Sequence, residues 1–297
     1  MMKAADTSFT RRNLLKLVSA GTIATVVNPV NRLHAAEAAA PLQLKGRIKQ
    51  GLCRGALKGI KDFEEVCKIC ARLGIKGIDF TGPKDWETMK NYGLVGSLSR
   101  PEGMSIAKGF NRKEHHAELL AGLRKAIEET SAAGFPNVIC MAGNRVGMSD
   151  DEGLVNCAEG LKQIVGFAEE KKVTLCMELL NSKRNHKDYM CDHAAWGFEL
   201  CKRVGSERFK LLYDIYHMQV QEGDIIATIK EGSKYIAHYH TAGVPGRHEI
   251  DDSQELFYPA VMRAIVDTGY TGFVSHEYTP TRDAVTSLEQ SVRICDV

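Results

Sequence analysis

Between Ile48 and Ile294, eight short apolar runs alternate with longer amphipathic stretches, and this order constrains the fold more than any other feature. The runs are Ile48–Cys53, Gly77–Phe80, Leu94–Ser99, Asn137–Ala142, Val173–Leu180, Phe209–Ile215, Tyr235–Thr241 and Gly272–Tyr278. The stretches that follow them are Asp62–Leu73, Trp86–Asn91, Glu114–Ala133, Glu152–Glu170, His193–Val204, Asp224–Glu231, Tyr258–Asp267 and Asp283–Ile294. In the first stretch Phe63, Val66, Ile69 and Leu73 fall on one helical stripe, and Gly74 follows as a stop signal. Strands in strict alternation with helices run parallel, with right-handed crossovers. Eight such units predict an α/β fold, a (β/α)8 TIM barrel of a single domain. Such barrels take about 250 residues, and the chain has 297. The rival, an open doubly wound sheet, lacks support because no glycine-rich phosphate loop follows the first run.

Residues 1–40 differ in kind. Thr10-Arg11-Arg12-Asn13-Leu14-Leu15-Lys16 is close to a twin-arginine export signal, an apolar run Leu17–Val30 follows, and small residues cluster at Leu33–Ala40. Basic, apolar and small segments in that order predict a processed leader rather than a membrane span. The expected domain is therefore residues 41–297, carried to the periplasm or otherwise exported. Nine cysteines, an odd number, argue against a disulfide framework. Cys67 and Cys70 sit in a helical stretch with apolar neighbours, which predicts simple packing. Export of an already folded protein accommodates free thiols, because folding precedes the oxidising compartment.

A formal charge of +2, from 39 basic and 37 acidic residues, offers neither the basic stripe of a nucleic-acid binder nor a polybasic membrane cluster. The expected partner is a small molecule.

The active site of such a barrel lies at the carboxyl ends of its strands. Four consecutive predicted strands end in side chains able to bind a metal: Glu178, Asp214, His240 and Glu277. Side-chain alternation supports the grouping. Thr174, Cys176 and Glu178 share one face, and the apolar Val173, Leu175 and Met177 share the other, which should meet the helices. Asp214 lies opposite Tyr213, Glu277 lies opposite Val274 and His276, and His238 shares a face with His240. Adjacent strands are about 4.8 Å apart, so four such ends converge on one ion. Three carboxylates and an imidazole favour one divalent metal ion, Mn2+ or Mg2+, with Co2+ or Zn2+ also compatible.

The segments around Met177–Asn181, Tyr213–Gln219, His238–His240 running on to Pro245–Glu249, and His276–Tyr278 resemble the hydroxypyruvate isomerase family of the xylose-isomerase-like barrel superfamily, over about residues 45–295. In that family and the related ketose 3-epimerases, the resemblance implies that Glu178, Asp214, His240 and Glu277 hold the metal. It implies further that Glu178 and Glu277 serve as acid and base, that His217 and Arg247 contact substrate oxygens, and that a homo-oligomer forms. Hydroxypyruvate isomerases often carry Gln where His240 stands, whereas the epimerases carry His. The chemistry expected is proton transfer between neighbouring carbons of a sugar or hydroxy-carbonyl compound through an enediolate. A lyase or hydrolase acting on keto-sugars or keto-glycosides, and an exported non-catalytic sugar-binding barrel, share the same residues. A phosphodiester nuclease on this barrel would need more histidines and a phosphate-binding surface.

Asn181 either hydrogen-bonds a ligand or braces Glu178. Lys183, Arg184 and His186 read as a solvated loop, His115 and His116 as a solvated face, and Trp86 as pocket wall or core. His248 and Glu249 form a lid or fix their own loop.

Overall fold

The computed structural model describes residues 40–297. The expected export leader lies outside them except for its last residue, Ala40. Eight parallel strands close into one barrel in sequence order. They are β1 (Lys49–Cys53), β2 (Gly77–Thr81), β3 (Val95–Ser99), β4 (Asn137–Cys140), β5 (Thr174–Leu179), β6 (Phe209–Asp214), β7 (Ile236–Thr241) and β8 (Phe273–His276). Helices α1 (Phe63–Arg72), α2 (Pro83–Asn91), α3 (His116–Ala133), α4 (Asp150–Lys171), α5 (Ala194–Val204), α6 (Ile215–Gln221), α7 (Ile225–Gly232), α8 (Tyr258–Asp267) and α9 (Ala284–Cys295) occupy the connections and close the chain.

Local chemistry fixes the element ends. The Asp62 carboxylate accepts the Glu64 N–H at 3.1 Å and starts α1, with Glu64 and Glu65 in its positive first turn. Gly134 and Gly205 end α3 and α5 at φ 77° and 74°, a region that costs glycine little. Every residue of β5 is buried, as for a strand with helices outside and side chains filling the barrel inside. The barrel floor is packed close: a Cβ on Gly77 would lie 2.5 Å from the Ser97 hydroxyl oxygen and 2.9 Å from the Phe273 ring. Above this layer the interior turns polar, with Asp79, Glu178, Asp214, His238 and His240 all buried.

Two expectations need correction. The sixth strand stops at Asp214, and the apolar residues after it form α6, because the Asp214 carboxylate accepts the His217 N–H at 3.1 Å and caps a helix there. His116 is not on a solvated face. It is buried beside Phe110, with its Nε2 2.8 Å from the Phe110 carbonyl. Trp86 is core: it is buried edge-on against Phe135 and donates to the Thr81 hydroxyl at 3.2 Å. All nine cysteines are free and buried, Cys67 and Cys70 included. Among the described residues no helix is long and apolar enough to cross a membrane.

Candidate active site

The four strand ends converge. Ligand atoms of Glu178, Asp214, His240 and Glu277 lie within 4.8 Å of one another. His240 is at the centre, its Nδ1 2.7 Å from Glu277 Oε2, 3.6 Å from Glu178 Oε1 and 4.0 Å from Asp214 Oδ2. Parallel pairing sets this up, since Asp214 and His240 are register partners on β6 and β7, and His240 pairs with Ser275, two residues before Glu277.

The donor set fits a hard divalent cation. Three carboxylates face one imidazole nitrogen, and no thiolate is among them. His240 Nδ1 is buried without a hydrogen bond, although it lies 2.7 Å from Glu277 Oε2. A buried polar nitrogen aimed at carboxylates is what a metal ligand requires once its proton has left.

Burial, joined by the Glu277 and Asp214 charges, outweighs His240 and pushes the Glu178 carboxyl up to about 7. Burial acts on Glu277 in the same sense, but the His240 charge and the Arg247 guanidinium overcome it and hold that carboxyl low. Burial opposes charge on His240, yet Cys53, Glu277 and Asp79 beside it raise its pKa well above the usual range. Two glutamates at one site are thus driven apart, as in acid–base pairs.

Arg247 comes from the loop after β7, in the left-handed region at φ 60°. Its guanidinium donates to Asp214 at 3.0 Å and Glu277 at 2.7 Å. His217, on α6, is fully buried. Its Nδ1 accepts the Asn181 side-chain amide at 2.6 Å and the Asn181 backbone N–H at 3.2 Å. Asn181 Oδ1 takes the Arg184 and Asn185 N–H groups at 3.1 and 3.0 Å, which fixes the amide so that its NH2 faces His217. The His217 proton therefore sits on Nε2, which is buried and unpartnered. Burial and the Arg247 charge keep the ring neutral, well below the usual histidine range. Asn181 thus braces His217.

Glu249 fixes its own loop, accepting the Thr281 N–H at 2.9 Å and the Ser287 hydroxyl at 2.9 Å. Lys183 and Arg184 are exposed and His186 is half-buried, its ring 5.2 Å from that of His217. A cavity of about 330 Å³ opens beside the cluster, lined by Glu277, Arg247, Cys53, Arg54, Phe63 and Asp85 among others.

Sequence reasoning missed a second buried group. Asp79, on β2, accepts the Ser97 hydroxyl and lies 2.8 Å from His238 Nε2 and 3.0 Å from His240 Nε2. Cys53 Sγ lies 3.7 Å from the same carboxylate oxygen. The available signal was a lone acid inside the apolar run Gly77–Phe80, on the same face as Gly77.

A family model described as a xylose isomerase-like TIM barrel matches residues 68–295. A putative hydroxypyruvate isomerase of Homo sapiens is 30% identical over 173 residues, 56% of this chain and 62% of that protein, so the chain spans less than two thirds of that relative. The hydroxypyruvate isomerase of Escherichia coli (strain K12) is 26% identical over 259 residues, 81% of this chain and 95% of that protein. A solved 3-keto-D-glucoside 4-epimerase from E. coli, 18% identical, superposes with a TM-score of 0.70 over 84% of this chain and 100% of that one, a likeness of fold. The family match takes in seven of the eight strands and all four clustered side chains, and on that match and the closed barrel the chain belongs to the xylose isomerase-like TIM barrel family.

Proposed function

We propose that the protein is a metal-dependent isomerase or epimerase that moves a proton between neighbouring carbons of a small sugar-like hydroxy-carbonyl compound. One observation carries this reading: three carboxylates and the unpartnered Nδ1 of His240 gather at the carboxyl rim of the barrel, two of the carboxylates being glutamates from different strands. The names of the human and E. coli relatives agree with it. Glu178, Asp214, His240 and Glu277 would hold the ion, Mn2+ or Mg2+ by the hardness of the set. Bound there, it would polarise a substrate carbonyl and stabilise negative charge developing on the substrate oxygens.

The chain's own groups supply the rest. Glu277 lines the cavity and Glu178, 5% exposed, belongs to the same cluster; the pair would serve as base and acid on a substrate carbon. His217 presents an Nε2–H to a substrate oxygen, held in that tautomer by Asn181. Arg247, which reaches both Asp214 and Glu277, is placed to hold a second oxygen.

The cavity runs from Glu277 to Arg54, Phe63 and Asp85, beyond what a three-carbon acid fills. This favours ketoses or keto-glycosides over hydroxypyruvate, and keeps a lyase acting by the same proton abstraction as the second reading. The test is turnover in D2O with metal-stripped and reconstituted protein on hydroxypyruvate, ketoses and 3-keto-glucosides. Deuterium in re-isolated substrate or product, only with metal added, supports the proposal; ligand binding without exchange refutes it. Fragment release would select the lyase. Export of the folded chain is also our proposal, resting on Arg11 and Arg12 with the apolar run behind them. It predicts that Arg11→Lys with Arg12→Lys retains the protein in the cytoplasm. Assembly into a homo-oligomer is proposed from the family alone.

A further inference from the structure

We infer that Asp79 is a positioning residue for the cation site, fixing the tautomer and aim of His240 from the side away from the three clustered carboxylates. The inference rests on the reading of Glu178, Asp214, His240 and Glu277 as metal ligands. A histidine has two ring nitrogens, and the one that binds a metal must be unprotonated. His240 Nε2 lies 3.0 Å from Asp79 Oδ2, so the carboxylate accepts a proton there and leaves the Nδ1 lone pair facing the cluster. A carboxylate behind a ligating imidazole also raises its basicity and locks the plane of the ring.

Asp79 is itself held on three sides. Ser97 donates to its other oxygen, His238 Nε2 lies 2.8 Å from Oδ2, and the Cys53 thiol donates at 3.7 Å. The carboxylate is 1% exposed and both imidazoles are fully buried, so these bonds form in a largely desolvated setting. Phe80, the next residue of β2, presses edge-on against His240 with ring centroids 5.9 Å apart. The same strand thus supplies both the hydrogen bond and the packing that orient the ring. Elsewhere in the site Asn181 sets His217 in the same tautomer, so the two buried histidines carry their protons on Nε2 for different purposes: His217 to donate toward the site, His240 to leave Nδ1 for the ion.

The test compares Mn2+ affinity, by calorimetry, of the wild-type protein, Asp79→Asn and Ser97→Ala, with circular dichroism and the number of ions per chain measured on each. Loss of an outer carboxylate of this kind weakens metal binding about 10- to 100-fold, and that is the result expected for Asp79→Asn. Ser97→Ala, which removes only one bond that steadies Asp79, should weaken it by less. Asp79→Asn binding as tightly as wild type overturns the inference and leaves the metal reading standing. A wild-type protein that binds no ion overturns both. Two ions per chain in wild type, falling to one in Asp79→Asn, makes Asp79 a ligand of a second site with His238 and His240 and also overturns it. If Asp79→Asn does not fold, nitrogen-15 spectra of the Mg2+-loaded wild type decide: a proton on Nε2 of His240 supports the inference, and a proton on Nδ1 overturns it.

Discussion

Metal binding should release protons, and the site fixes how many. In the metal-free protein burial and neighbouring carboxylates push Glu178 up to about 7, and acidic neighbours hold His240 protonated well above the usual histidine range. Both groups must give up their protons to serve as ligands, so protons compete with the ion and affinity rises with pH. One proton displaced over a whole interval changes affinity ~10-fold per pH unit. Glu178, titrating in the middle, contributes ~10-fold between pH 6 and pH 8, and His240, its pKa raised, adds to it in the same direction. Mn2+ binding should therefore be more than ~10-fold tighter at pH 8 than at pH 6. Calorimetry in buffers of different ionisation enthalpy should count more protons released at pH 6 than at pH 8. Glu178→Gln should bind more weakly throughout and shrink the span by ~10-fold, leaving the part that His240 contributes. Binding that is flat with pH, or that exchanges no proton with buffer, would refute this account of the cluster's electrostatics.

Glu277→Gln removes one of the two proton-transfer groups and should lower turnover by at least ~100-fold, read as deuterium exchange, with the melting temperature little changed. Asn181→Ala releases the tautomer of His217 and should lower kcat/KM by ~10- to 100-fold through substrate misplacement while leaving Mn2+ affinity at the wild-type value. Gly77→Ala places a methyl against Ser97 and the Phe273 ring in the barrel floor. Overpacking of that kind costs about 1–3 kcal/mol and should lower the melting temperature by ~5 °C, measured by circular dichroism.

The barrel was legible because parallel strands are buried on both faces and so stand out as continuous apolar runs, β5 most plainly. The cluster was legible because alternation along each strand fixes which side chains face inward; Glu178, His240 and Glu277 follow from counting alone. The limits were of two kinds. Ile215 extends the apolar run of β6, but the capping bond from Asp214 to the His217 N–H turns the chain into α6 at that point, and hydrophobicity does not register such a bond. Asp79 lies 159 residues from His238 and 161 from His240, so its role exists only once the barrel brings β2 across to β7. His116 was misread for a related reason: its partner is the carbonyl of Phe110, in the irregular segment before α3.

Anomalous diffraction from crystals grown with Mn2+ tests the central claim most directly. The account predicts one strong peak about 2.2 Å from a carboxylate oxygen each of Glu178, Asp214 and Glu277 and from Nδ1 of His240. A peak bound through Nε2 of His240, or no peak at the rim of the barrel, would contradict it.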